Sequence, residues 1–196
     1  MRAKKLKEIN KYIEKFKTIN KSEPFESEGF ITIKNYEIKL NNGQTIHREQ
    51  IYKNGRVGNT VAVLPLTKEN NVILAIEPRV FTEKTVGVEA PAGYIEDGEK
   101  PIQAAERELL EETGLKAKEL IQLRNYYCDM GSFSGITSAF IAKDCEKISE
   151  QNLDSDEFIE IVECTIAEAK ELIDMEYIRD INTIYLIENL ERIIKH

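Results

Sequence analysis

Along residues 1–16 the apolar positions recur every three or four residues. Leu6, Ile9, Ile13 and Phe16 fall on one helical face, with lysines between them. From residue 29 the pattern becomes strand-like. Runs over 29–40 and 44–53 flank Asn41-Asn42-Gly43, a sequence suited to a hairpin turn. Two nearly continuous apolar runs, 59–67 and 72–77, flank residues 68–71 and predict a second hairpin. Helical spacing returns over 101–113, where Pro101 suits the first turn and Gly114 the C-terminal cap. Ile102, Ala105 and Leu109 mark the expected buried face of that helix. Strand-like runs follow at 118–127, 137–143 and 157–164, then helices at 166–175 and 181–194. This order lacks the alternating rhythm of a doubly wound sheet and points to an α+β fold.

The chain has 196 residues, enough for one domain with a small appendage. The expected division is 1–56, a helix and hairpin suited to dimerisation, and 57–196, the body. Net charge is −8, but unevenly spread. Residues 1–22 hold eight basic and two acidic side chains, a balance of +6, so the remainder carries −14. The basic helix reads as packed on the acidic body or on a partner subunit. A membrane-surface helix is the sharper alternative, disfavoured by the short apolar stripe and the lack of Trp. An acidic body also disfavours nucleic acid as a partner. No apolar run reaches membrane-spanning length, and the N-terminus lacks a signal-peptide pattern. Cys128, Cys145 and Cys164 are widely spaced, with only His47 and His196 for company. Neither zinc site nor disulfide framework is expected, and a reducing cytoplasm fits. Cys128 reads as a small buried hydrophobe.

The chemistry concentrates in helix 101–113, which carries Glu106, Arg107, Glu108, Glu111 and Glu112. Glu108 and Glu112 are one turn apart, and Glu111 lies three residues from Glu108. Arg107 can pair with Glu111 but cannot neutralise four glutamates. A solvated acidic face is the plain reading. A ligand set for Mg²⁺ or Mn²⁺ is the functional one, since a dication turns like-charge repulsion into attraction.

The surrounding positions sharpen this. Gly93, then five residues, Glu99, then seven residues, Arg107-Glu108-Leu109-Leu110-Glu111-Glu112-Thr113-Gly114-Leu115 form a pattern of nine specified positions. The chain here resembles the Nudix hydrolase family, whose box it matches at every fixed position. The resemblance implies a Nudix fold, a mixed sheet sandwiched between helices. It implies a metal-dependent enzyme that hydrolyses a nucleoside diphosphate linked to another moiety. Glu108, Glu111 and Glu112 match the catalytic and metal-ligating glutamates, and the carbonyl of Ala92 joins the metal shell. Gly93, Glu99, Arg107 and Gly114 match the structural positions, with Glu99 expected to bond Arg107.

Outside the box, Glu89-Ala-Pro-Ala-Gly93, Arg79 after a strand, and the hairpin 29–53 look like the ADP-ribose and nucleotide-sugar pyrophosphatase branch. That likeness implies a homodimer with exchanged N-terminal strands, and products of a nucleoside monophosphate and a sugar phosphate. Arg79 and Glu89 become substrate-binding candidates, as do Gly131 and Phe133 in the loop beyond the box. Arg48 and Arg56 are candidates for reaching a partner's site. Tyr126 and Tyr127 should face opposite sides of their strand. Asp129-Met130-Gly131 departs from the branch's Ser-Pro-Gly, keeping only the glycine. The general base is sought among Asp154, Asp156 and Glu157. A triphosphate or dinucleoside polyphosphate hydrolase, and a nucleotide-binding regulator without turnover, are the alternatives.

Overall fold

The computed structural model describes residues 2–20, 29–53, 55–190 and 193. Lys21 of the basic segment and most of the expected last turn, 191–194, lie outside the described residues. Helix α1 (Arg2–Phe16) is followed by strands β1 (Ile31–Lys39), β2 (Thr45–Lys53), β3 (Thr60–Pro65), β4 (Val72–Pro78), β5 (Val86–Glu89) and β6 (Ala92–Tyr94). Helix α2 (Pro101–Thr113) leads to β7 (Leu115–Lys116), β8 (Glu119–Tyr127), β9 (Ile136–Lys143), β10 (Glu146–Lys147) and β11 (Glu160–Cys164). Helices α3 (Ile166–Asp174) and α4 (Ile181–Asn189) follow.

A four-stranded mixed sheet runs β6-β3-β9-β8, with β3 and β9 parallel. The antiparallel sheet β11-β4-β5 packs beside it. Strand β3 shows why its sequence lacks alternation. Val61 and Val63 bury against Ala105 and Leu109 of α2, while Ala62 and Leu64 enter the main core with Leu186 and Ile187 of α4. A strand covered on both faces reads as a continuous apolar run.

The same fact corrects the second expected hairpin. Its turn forms, with Thr67 N–H donating to the Asn71 carbonyl at 2.9 Å and Asn70 at φ +60°. Pairing then stops at one bridge, Leu66 with Val72, and β3 and β4 diverge into different sheets. Each is a central strand already flanked on both sides, so neither has a free edge for the other.

The expected first hairpin is present, with Ile31 opposite Lys53 and Lys39 opposite Thr45. It stands off the body. Every residue of β1 is exposed, and its attachment runs through β2, where Ile51 N–H donates to the Ser132 carbonyl at 2.8 Å. Helix α1 packs on β4 and β11. Ile9 is fully buried, Leu6, Tyr12, Ile13 and Phe16 lie against the core, and Lys15 pairs with Glu160. Tyr126 faces the core and stacks edge-on against Tyr185, whereas Tyr127 faces out. Cys128, expected to be buried, is exposed one residue past the end of β8. No helix among the described residues is long and apolar enough to cross a membrane.

Candidate active site

Helix α2 begins with Pro101 after Lys100, whose N–H donates to Gln103 Oε1 at 3.0 Å. It ends at Gly114, φ +70°, whose N–H returns to the Leu110 carbonyl. A Cβ there would strike the Ser149 backbone, so this position needs glycine for both its conformation and its neighbour. The buried face differs from the expected one. Ile102 is exposed, and the buried set is Ala104, Ala105, Glu108, Leu109, Glu112 and Thr113. Two glutamates, Glu108 and Glu112, are therefore drawn inside rather than left as a solvated face.

Arg107 holds the site's architecture. Its Nε and Nη2 donate to the two oxygens of Glu99 at 3.0 and 3.1 Å, and Nη2 also reaches the Tyr94 carbonyl at 2.8 Å. Nη1 donates to Glu108 at 2.8 Å and to Glu111 at 3.0 Å. This bonding holds Glu99 below the usual carboxylate range. Glu108 is pushed up by burial, against the opposing pull of Arg107. Gly93 leaves the space that Glu108 fills, since a Cβ there would collide with the Glu108 carboxylate.

Glu112 is the exceptional group. It is 4% exposed, and Oε1 accepts a long bond from Ala92 N–H at 3.4 Å. Its Oε2 is buried with no hydrogen-bond partner. Burial raises its pKa well above the ordinary value, and the charges of Glu77 and Glu108 add to that. An orphaned buried carboxylate oxygen beside two further glutamates is what a site for a hard dication looks like before binding. Among the described residues, no three His, Cys, Asp or Glu side chains converge tightly enough to ligate an ion as they stand. The Arg107 contacts of Glu108 and Glu111 account for part of that. The donor chemistry fits a divalent metal.

These groups line a cavity of about 610 Å³. Nine carboxylates face it (Glu77, Glu89, Glu96, Glu108, Glu111, Glu112, Asp154, Glu157 and Asp180) against Lys53, Arg79 and Arg107. A phosphate-bearing ligand needs added positive charge to enter such a field.

Opposite the box, Arg79 donates to Glu89 twice, Nε to Oε1 at 2.9 Å and Nη2 to Oε2 at 3.0 Å, and to Glu77 at 2.9 Å. Burial works against the Arg79 charge, but Glu89 and Glu77 outweigh it and hold the guanidinium above its ordinary range. Gly87 makes the clamp possible, because a Cβ would overlap the Glu89 carboxylate and Cγ of Arg79. Glu77 is pushed up to about 7, first by burial and then by Glu89.

The acidic loop is stitched to the end of α2. Asn152 N–H donates to the Glu111 carbonyl at 2.8 Å, and Gln151 Nε2 to the Glu112 carbonyl at 2.6 Å. Asp154 and Glu157 line the cavity, and Asp156 does not. Ala92 and Gly93 line it; Gly131 and Phe133 do not. Those two sit in a separate cavity of about 500 Å³ with Tyr36, Ile38, Arg48 and Met130, against the hairpin. Phe133 approaches the acidic cavity through Lys53, whose Nζ lies 4.6 Å from its ring. Arg56 pairs with Asp97 at 2.6 Å.

Sequence reasoning left Glu77, Asp180, Asn182 and Lys53 without roles. Glu77 carried a signal, since it lies two positions before Arg79, and side chains two apart share a face where an extended strand runs out. Asp180 caps α4 through Thr183, whose hydroxyl accepts from Ala90 N–H at 2.8 Å and thereby ties α4 to the approach to the box. That tie joins residues 93 apart and has no local signature.

The NUDIX domain family matches residues 57–184. The chain belongs to the Nudix family. As a Nudix hydrolase it shares 36% identity with the ADP-ribose pyrophosphatase of Bacillus subtilis (strain 168), over 89% of this chain and 92% of that one. It is 34% identical to a methanol dehydrogenase activator of Bacillus methanolicus, over 92% and 96%. The GDP-mannose pyrophosphatase of Cronobacter sakazakii (strain ATCC BAA-894) is 29% identical over 84% and 90%. The Nudix fold is matched by the crystal structure of an ADP compounds hydrolase, with TM-score 0.74 and 22% identity over 88% and 91% of the two chains.

Proposed function

We propose that this Nudix enzyme hydrolyses the pyrophosphate bond of ADP-ribose or a related nucleoside diphosphate sugar, giving a nucleoside monophosphate and a sugar phosphate. The observation that carries this is the buried Glu112 carboxylate with an unpartnered oxygen, beside Glu108 and Glu111 in an acidic cavity of about 610 Å³, large enough for a nucleotide-sized ligand. The relatives named for ADP-ribose and GDP-mannose hydrolysis supply the substrate class.

Glu108, Glu111, Glu112 and the Ala92 carbonyl would hold Mg²⁺ or Mn²⁺. When bound, such an ion polarises phosphate oxygens and makes water a better nucleophile. The protein's own groups do the rest. Arg79 has Nε and Nη2 engaged by Glu89 and Glu77, which leaves Nη1 for a substrate phosphate. Glu89 thus acts on substrate through Arg79. Glu157 is the base we favour, taking the proton of the attacking water on its carboxylate. Its place in the cavity lining, where Asp156 is absent, and the small contribution of its charge to the raised Glu77, Glu108 and Glu112 support this choice. The exposed β1 supports a homodimer assembled through the hairpin, and three unpaired thiols support a cytoplasmic setting.

The test is a substrate panel with Mg²⁺, comparing ADP-ribose, GDP-mannose, dinucleoside polyphosphates and nucleoside triphosphates. AMP and ribose 5-phosphate from ADP-ribose, at the highest kcat/KM of the panel or second only to GDP-mannose, is the expected result. Preferential turnover of triphosphates would overturn it.

A further inference from the structure

Helix α1 contributes no described residue to the acidic cavity, yet it bonds both loops that flank the cavity's arginine wall. Past its end, Thr18 N–H donates to Thr85 Oγ1 at 3.1 Å. Thr85 closes the β4–β5 loop. Its carbonyl accepts from Arg79 N–H at 2.8 Å, its own N–H returns to the Thr82 carbonyl at 3.1 Å, and its φ is +59°. A β-branched residue in the left-handed region is held there by its surroundings. On the helix itself, Asn10 Oδ1 accepts from Tyr177 Oη at 3.1 Å. Tyr177 lies in the α3–α4 connection, which runs on to Asp180.

The two loops are also joined to each other. Lys84 Nζ donates to the Glu176 carbonyl at 2.6 Å and sits 4.8 Å over the Tyr177 ring. Arg179 pairs with Glu83 at 2.6 Å. Arg79 and Asp180, at the ends of these loops, both line the acidic cavity. The helix is fixed beneath them by Ile9 in the core and by the Lys15–Glu160 ion pair on β11.

We infer that α1 is a positioning brace for substrate binding: through Thr18–Thr85 and Asn10–Tyr177 it sets the loops that aim Arg79 and Asp180 into the cleft. This rests on the reading of the cavity as a nucleoside diphosphate sugar site, and it gives the basic helix a part in that site that its sequence does not reveal. Of the α1 lysines, Lys15 pairs with Glu160 of the body, while Lys5 pairs with Glu8 within the helix.

The experiment combines Thr85→Ala with Tyr177→Phe, removing both hydroxyls and leaving every cavity-lining side chain in place. For ADP-ribose, KM is expected to rise about five- to tenfold with kcat within about twofold of the parent, the loss of two hydrogen bonds felt in binding alone. Thr85→Ser keeps the acceptor and is expected to restore the parent KM at that position. Amide hydrogen exchange gives a readout independent of turnover. Residues 79–86 should exchange faster in the double variant while α2 is unchanged. Unaltered KM and unaltered exchange would overturn the proposal, as would a fall in kcat that merely follows a fall in Tm. If the parent enzyme turns over neither ADP-ribose nor GDP-mannose, the substrate reading fails and exchange alone decides the brace. Should the double variant not fold, Tyr177→Phe is read by the same criteria.

Discussion

Arg107 and Glu99 meet in a fork, with Nε to Oε1 at 3.0 Å and Nη2 to Oε2 at 3.1 Å. The pair joins the loop after β6 to α2, and the rest of the guanidinium reaches Glu108 and Glu111. A lysine offers one point charge and cannot reproduce this geometry. Arg107→Lys is expected to destabilise the protein by about 1–3 kcal/mol in chemical denaturation. It should also lower kcat, because the glutamates lose a common anchor. An unchanged denaturation midpoint would show that the fork is ornamental.

Glu112→Gln separates stability from activity. Burying the charge costs the folded state, and burial is what lifts its pKa. The neutral amide is therefore expected to raise Tm in the presence of chelator. Activity with Mg²⁺ should fall about a thousandfold or more, with the far-UV spectrum unchanged. The gain in Tm that Mg²⁺ confers on the parent should shrink with it. Parent-like turnover would remove Glu112 from the metal site.

How much of this was visible in the sequence depends on how local each contact is. Helix α2 and its box were legible because Pro101, Arg107, Glu112 and Gly114 act within one helix and its approaching loop. The 67–71 turn was legible too, but not the partners of β3 and β4. Periodicity tells that a strand is buried on both faces, not which strands flank it. The Arg79–Glu89 clamp depends on β4–β5 register, and the Thr183–Ala90 bond on the docking of α4. Gly131 and Phe133 were expected at the substrate because of their distance past the box. In the single chain that loop lies against the hairpin, where Ser132 and Ser134 bond β2.

Stability should fall with rising pH through a defined window when metal is withheld. Glu77 titrates near 7 in the folded chain against 4.5 ordinarily, through burial and the Glu89 charge. Between those values the folded state keeps a proton that the unfolded chain releases, so the folded form loses stability as pH climbs. One pH unit is worth about 1.4 kcal/mol, which puts the Glu77 contribution on the order of 3 kcal/mol. Glu108 and Glu112, also raised, act in the same direction. Thermal melts in EDTA from about pH 5 to pH 7.5 should show a declining Tm, and Glu77→Gln should flatten the decline. A Tm that rises across that range in the parent would contradict the burial assigned to Glu77.

The hairpin makes the last claim testable. Ile31 is 57% and Ile33 56% exposed on β1, next to exposed Phe30, Tyr36 and Ile38. An apolar strand edge of this kind favours pairing with another chain. If two copies pair through it, light scattering should report about twice the 22.5 kDa chain mass. Ile31→Asp with Ile33→Asp should return a monomer. Both side chains lie outside the core, so Tm at low concentration should stay close to that of the parent. Removing α1 together with the hairpin would be a poorer test, because Ile9 belongs to the core and its loss destabilises the body whether or not a dimer exists. A charged double variant that remains a dimer would move the interface away from β1.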